Sequence, residues 1–255
     1  MKAQLFDVSG AKKGDIELPA VFDTPIREDL ASKYFEALKF DLMHPYSPSP
    51  TAGRRHSASG TIRHSRHKWK GHYGKGLSRV PRKKMWRRGT QFYWIGAEVS
   101  NTRGGRSVHT PTGVKRIRKI NAKERTLALS SGFAATTHKE YVVARYHTLK
   151  DAVVPLVINQ VPQKTKDVLA MLQKILGSAY SVAIRTKSLR AGKGKRRGRR
   201  YKTSAGLLLV TGAKEKVSCS AIDAMPVKKV NMGDLYPLGR LTIYTQQALE
   251  ELKHA

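Results

Sequence analysis

Gly71 to Ser78, GHYGKGLS, has the glycine spacing of a phosphate-binding loop. Such a loop needs a lysine to reach the phosphates and a hydroxyl to hold magnesium, and Leu77 stands where that lysine belongs. GKGLSR (74–79) and GKGKRR (192–197) begin like a dinucleotide fingerprint but end in Arg, and neither follows a hydrophobic strand. His56, His64, His67 and His72 lie close together, with no Cys, Asp or Glu among them. Ligating histidines normally sit on a rigid element backed by carboxylates, whereas this stretch is cationic and would repel a metal ion. The single cysteine, Cys219 in KVSCSA, reads as a packing or surface residue rather than a nucleophile, and neither GxSxG nor HExxH occurs. Catalysis therefore has no residues to stand on, and neither a metal nor a cofactor is expected, the histidines reading as aromatic hydrogen-bonders in a basic surface.

Nucleic acid binding does. The stretch HSRHKWKGHYGKGLSRVPRKKMWRRG (64–89) has a cation or an aromatic at most positions, with Gly and Pro between them. Arg and Lys neutralise phosphates and release counterions, so affinity grows with the number of contacts. Aromatic rings and Arg planes stack on unpaired bases, which is how RNA loops and junctions are read. Glycine permits close backbone approach and Pro81 stiffens an extended path. A membrane-surface segment would need an amphipathic helix with one apolar face, and this stretch offers none.

The chain has 255 residues and a formal charge of +31. A one-signed field of that size opposes compaction by self-repulsion, so a polyanionic partner is expected. The charge is not spread evenly. Residues 51–120 hold 19 Lys and Arg against one acid, Glu98, and residues 187–202 hold nine and none; the remaining 169 carry only +4. The candidate RNA contacts are accordingly the cations of two excursions with their aromatics. In the first they are Arg54, Arg55, Arg63, Arg66, Lys68, Trp69, Lys70, Tyr73, Lys75, Arg79, Arg82, Lys83, Lys84, Trp86, Arg87, Arg88, Arg103, Arg106, Lys115, Arg116 and Arg118. In the second they are Lys187, Arg190, Lys193, Lys195, Arg196, Arg197, Arg199, Arg200 and Lys202. Trp69, Trp86, Trp94 and Tyr73 either stack on bases or, for the tryptophans, pack together as a satellite cluster.

From Thr51 to Pro111 no period of 3.6 or 2 is sustained and no core face is evident. Ordering some 60 residues costs on the order of 60–120 kcal/mol in backbone entropy, so this segment is either disordered alone or ordered by a partner. The nearly neutral remainder reads as α/β. Thr24-Pro25 looks like a helix start, followed by Ile26, Leu30, Tyr34 and Leu38 at helical spacing to about Lys39. Asn121 to Glu124 has capping-box spacing and predicts a helix to about Gly132. Thr165 caps a helix stopped by Gly177, and Gln246–Lys253 closes the chain as a helix capped by Thr245. QLFDV near the start is strand-like, 153–158 is a compact apolar run, and strand candidates follow at 181–184, 207–210, 227–230 and 241–244. Short unalternating strands between helices predict an open, mostly parallel sheet with helices on both faces, interrupted by a long extended basic internal loop. The expected organisation is 1–44 and 121–255 as one α/β domain, 45–120 as the loop, and a second basic loop at 187–202. The longest apolar runs, VVPLVI and LLLV, are far below the ~20 residues that span a bilayer. A single cysteine and the strand-like start suit a reducing, cytoplasmic location.

These motifs, in this order, resemble the universal large-subunit ribosomal protein four family in its archaeal form. FDVSGAKKGDIELPAVFDTPIREDL (6–30) is similar to the opening of archaeal members, GKGLSRVPR (74–82) to the family's loop, and GRSVHTP (105–111) to its return limb. NAKERTLALSSGFAAT (121–136), RAGKGKRRGRRYK (190–202) and VNMGDLYPLGRLTIYTQQAL (230–249) resemble the following helix, a basic motif and the terminal strand and helix. The match is looser at 54–70 and 83–103. The long C-terminal extension of eukaryotic members is not seen, which favours the archaeal form. The resemblance implies a non-enzymatic constituent of the large ribosomal subunit, cytoplasmic, that binds ribosomal RNA early in assembly and contacts several of its domains. Its loop would form part of the wall of the polypeptide exit tunnel, with the tip near 71–88 and Lys75, Arg79, Arg82, Lys83 and Lys84 nearest RNA or tunnel. Implied partners are large-subunit ribosomal RNA, neighbouring ribosomal proteins and the nascent chain, and no membrane. Two other readings of the residues stay open: a free regulatory RNA-binding protein, and a nucleotide-using or RNA-modifying enzyme on an α/β core.

Overall fold

In chain order the computed structural model runs β1 (Lys2–Phe6), β2 (Lys12–Glu17), α1 (Glu28–Leu42), β3 (Trp86–Arg88), β4 (Gln91–Tyr93), α2 (Ala122–Thr137), α3 (Lys139–Arg145) and β5 (Leu156–Ile158). It continues through α4 (Thr165–Leu176), the single turn α5 (Tyr180–Ala183), β6 (Lys187–Leu189), β7 (Tyr201–Thr203), β8 (Leu208–Thr211), β9 (Asp223–Pro226), the turn α6 (Met232–Leu235), β10 (Thr242–Thr245) and α7 (Gln246–Lys253). The described residues are 1–58, 73–74, 76–83, 86–88, 91–146, 148–149, 153–215, 217 and 219–253, with 86–88 and 91–93 as backbone only. They separate into two units, Met1–Leu42 with Ile117–Ala255, and Met43–Arg116.

The first unit is built on a sheet of order β2-β1-β5-β10-β8-β9. β2 is antiparallel to β1, and every other pairing is parallel. β5, β8 and β10 are buried along their whole length, as expected of apolar runs that face helices on both sides. Successive strand residues point to opposite faces. Val157, Leu208, Val210 and Tyr244 accordingly enter one cluster with Phe22, Phe133 and Leu249. Leu156, Ile158, Leu209 and Ile243 enter the other, with Val168, Met171 and Leu172 of α4. The mostly parallel sheet between helical layers predicted from the sequence is thus present.

Several local expectations are corrected. The first helix starts at Glu28 rather than beside Thr24, whose hydroxyl donates back to the Val21 carbonyl and closes a short 3-10 turn. Residues 25–27 are held instead by α2: the Ser131 hydroxyl donates to the Pro25 carbonyl (3.2 Å) and accepts from the Arg27 amide (3.2 Å). Gly132 does not stop α2, which runs on to Thr137. A Cβ at Gly132 would lie 2.9 Å from Leu235 Cδ1, so that glycine permits close packing rather than a cap. The apolar run 181–184 lies largely in a helical turn, and 227–230 begins with a 3-10 turn, with the edge strand falling just before it at Asp223–Pro226. Four-residue segments such as Ser-Val-Ala-Ile and Val-Lys-Lys-Val fit a strand or a turn equally well, and only a neighbouring strand decides between them.

Tyr244 anchors the first cluster. Its ring centre lies 5.2 Å from that of Phe22, edge to face, and its hydroxyl is 2.7 Å from Thr136 Oγ1. Complete burial raises the phenol well above its ordinary range. A raised folded pKa means that the contribution to stability is whole below the unfolded phenol's pKa, about 10, and is lost as pH climbs above it. Replacing Tyr244 by Phe should flatten the alkaline limb of a melting-temperature profile, at a cost near neutrality of about 1 kcal/mol for the lost hydrogen bond. A variant whose stability falls with pH as steeply as the parent's would refute this assignment.

Candidate nucleic-acid interface

In the unit Met43–Arg116 the described backbone is held by local turns and one antiparallel ladder. Arg82 bridges Gly96, and Trp86, Arg87 and Arg88 pair with Tyr93, Phe92 and Gln91. The Ala97 amide donates to Pro81 (2.8 Å) and the Lys83 amide to Ile95 (3.0 Å). A small interior exists where the sequence suggested none: Trp94 is 6% exposed and Ala97 1%. Its signal was too short-ranged to register as a period. Trp94 is therefore a buried ring, not one open to stack on a base.

The cations of this unit fall into three groups. Arg55, Arg103, Arg106, Lys83, Lys115 and Arg116 are exposed; Arg55 donates to Thr51 Oγ1 (3.2 Å) and Ser49 Oγ (3.3 Å). Arg54 lies 3.8 Å from Glu98, and the Arg79 guanidinium sits 4.3 Å from the Tyr73 ring centre. Arg82 is spent on its own loop: one terminal nitrogen donates to the Trp94 carbonyl, the other to the Ser78 carbonyl (2.8 Å) and hydroxyl (3.0 Å). It fixes the loop's shape more directly than it offers charge. Arg63, Arg66, Lys68, Trp69, Lys70, Lys75 and Lys84, with His64, His67 and His72, lie outside the described residues. Trp86, Arg87 and Arg88 are placed on β3 by backbone alone.

The second basic stretch belongs to the sheet unit. β6 and β7 pair antiparallel, joined by a short 3-10 turn at Gly192–Lys195. Lys187, Lys193, Lys195, Arg196, Arg197, Arg199, Arg200 and Lys202 are all exposed, and no acid occurs between 187 and 202. Arg190 is half-buried, its Nη2 3.5 Å from the Tyr201 carbonyl. Arg118, of the same unit, pairs with Glu36 at 2.6 Å and lies 4.2 Å from the Phe40 ring centre, tying the segment before α2 to α1. Lys33 does likewise with Glu124 at 2.9 Å, a hydrogen bond that holds the Glu124 carboxyl below the usual range.

Three further residues organise the second stretch, and sequence reasoning missed them. Arg240, buried with 4% of its side chain exposed, shares Asp223 Oδ2 with Arg185, each at 2.6 Å. Its remaining donors reach the carbonyls of Ala205 (2.7 Å), Gly206 (3.2 Å) and Asp234 (2.9 Å). Arg185 also donates its amide to Ala221 (2.9 Å), and the Leu207 amide donates to Ala183 (2.7 Å). Both ends of the hairpin are thus sewn to the sheet. The available signal was a lone Arg abutting the apolar run LTIY in PLGRLTIY, a place where a charge is buried only if paired.

A nearly neutral, mostly parallel α/β sheet unit that carries a basic hairpin, in a chain whose inserted unit is also basic, has the charge distribution of a class of protein that meets a polyanion. The sequence model of the Ribosomal protein L4/L1 family matches residues 16–255. The chain belongs to that family, whose members are structural ribosomal proteins and not enzymes, and whose place is the ribosome, cytoplasmic in archaea. It is 36% identical over 270 residues to the large ribosomal subunit protein uL4 of Nanoarchaeum equitans, covering 99% of this chain and 98% of the relative. The corresponding proteins of Thermoplasma acidophilum and Methanocaldococcus jannaschii are each 35% identical, covering 99% of this chain and 97% and 98% of their own lengths.

Proposed function

We propose that this chain is a structural constituent of the large ribosomal subunit that binds ribosomal RNA early in subunit assembly and contacts several RNA domains. The inserted segment 45–120 acts as an arm that enters the RNA and forms part of the exit tunnel wall, beside the nascent chain, while 1–44 and 121–255 form the support. The observation that carries this reading is the placement of charge: the arm and the 187–202 hairpin are dense in Arg and Lys, most of those among the described residues exposed, with Glu98 the one acid in both. Phosphate contacts by Arg54, Arg55, Arg79, Lys83, Arg103, Arg106, Lys115, Arg116 and the hairpin cations set position, and unpaired bases stack where rings are exposed. Neighbouring ribosomal proteins complete the site. Sedimentation of a cell extract tests this. The protein is expected with the large subunit and its assembly precursors, and finding it only in light fractions would favour a free regulatory RNA binder.

A further inference from the structure

The second basic stretch carries a feature that positive charge does not explain. In the β6–β7 pairing Leu189 stands opposite Tyr201, next to Ser188 opposite Lys202. Directly opposed residues of an antiparallel pair project from the same face and touch, so Leu189 and Tyr201 form one apolar patch. It is left in solvent, with Leu189 60% and Tyr201 52% exposed. A lone exposed apolar residue needs no explanation. Two in register, within a sixteen-residue stretch bearing nine cations and no acid, do.

An exposed phenol on a short hairpin is a base-sized platform, and the Arg200 guanidinium, 5.8 Å from its ring centre, adds a second planar group. Such surfaces hold unpaired bases by stacking while nearby cations hold the adjoining phosphates. A platform works only if its support is stiff. The hairpin's base is fixed by the carboxylate of Asp223, shared between Arg185 and the buried Arg240, and by the Ala205 and Gly206 carbonyls that Arg240 engages. An apolar protein face against the same patch would leave the surrounding cations uncompensated, so the chemistry favours a polyanion carrying an aromatic base.

Resting on the RNA-binding reading above, we propose that the Leu189–Tyr201 pair is a stacking platform for an unpaired RNA base, with Asp223 and Arg240 as the positioning residues that hold its hairpin to the sheet. Binding of the full chain to a large-subunit ribosomal RNA transcript, measured over a range of salt, tests this. Tyr201→Ala should weaken binding roughly 5- to 100-fold, with the salt dependence unchanged because no phosphate contact is removed. Tyr201→Phe should restore it. Equal affinity of Tyr201→Ala and the parent would overturn the platform, as would a Phe variant as weak as the Ala variant. Photo-crosslinking adds an arm that needs no variant: Tyr201 should join to a base in reconstituted subunits, and its joining to protein instead would also overturn the proposal. Asp223→Asn should lower the Tyr201 cross-link yield at saturating RNA, a ratio that reduced stability alone does not change; an unaltered yield removes Asp223 from the positioning role. Failure of the parent chain to bind the transcript in a salt-dependent way would instead sink the RNA reading itself.

Discussion

Replacing residues 43–116 by a short flexible linker is expected to leave a folded protein that has lost about a thousandfold or more in affinity for large-subunit ribosomal RNA. The physical basis is a separation of roles along the chain. Strands β1, β5, β10, β8 and β9 and the helices that cover them all lie in Met1–Leu42 and Ile117–Ala255, and both hydrophobic clusters are complete within those residues. Arg118 reaches Glu36 on α1, so the chain re-enters the sheet unit close to where it left and a short linker closes the gap. Closing a shorter loop costs less entropy, since the cost grows only logarithmically with length. The excised segment meanwhile carries most of the net charge of 51–120. Each lost phosphate contact removes about 0.7 to 0.9 from the slope of log affinity against log salt, so the slope should fall by more than half. Calorimetry should still show one cooperative transition. A deleted chain that fails to fold would mean that the arm is part of the core, and unchanged affinity would mean that the hairpin alone holds the RNA.

Asp223→Ala is expected to be among the most destabilising single substitutions outside the apolar clusters. It leaves Arg240, with 4% of its side chain exposed, without its carboxylate, and removing one partner of a buried pair costs about 3–5 kcal/mol because the other charge stays desolvated and uncompensated. For a unit of this size that is a fall in melting temperature of roughly 10 °C. Arg185→Ala should cost far less, since its side chain is 36% exposed and water replaces part of what is lost. The contrast between the two variants, read by thermal denaturation, is the test. Equal small effects would show that the shared carboxylate is not a fixed point of the fold. The same substitution loosens the hairpin base, so RNA affinity should weaken even at temperatures where the sheet remains folded.

Much of this fold is legible in the residues. The run at 207–210 is wholly apolar and that at 241–244, Leu-Thr-Ile-Tyr, has one small polar residue; both become buried central strands, because a strand covered on two faces has no solvent side to show. The helices 165–176 and 246–253 are equally clear, although Thr165 is the first residue of its helix and Lys164 stands at the cap; Gly177, at φ 50°, ends the first, and the Thr245 hydroxyl accepts from the Ala248 amide (3.2 Å) at the start of the second. What misleads is brevity. The segments 181–184 and 227–230 carry strand-like residues but meet no strand along that length, so the backbone closes its hydrogen bonds locally as turns. Trp94 misleads too, since a ring in a Gly-rich basic stretch reads as a base stacker until its burial is seen.

Sequence by itself determined how much positive charge the chain carries and in which two stretches it lies, because net charge and its position along the chain are covalent facts that no fold can alter. It also determined the layered α/β architecture, since apolar runs of strand and helix length leave few ways to be buried. Only the tertiary structure decided what each arginine does. Arg196 and Arg240 are the same residue type in one chain, yet the first faces water on a hairpin with no acid in it and the second is buried on Asp223, 17 residues away, and on Gly206, 34 away. Whether a guanidinium is available to a phosphate depends on which carboxylates and carbonyls the fold brings within reach, and that is a property of contacts between segments distant in the chain.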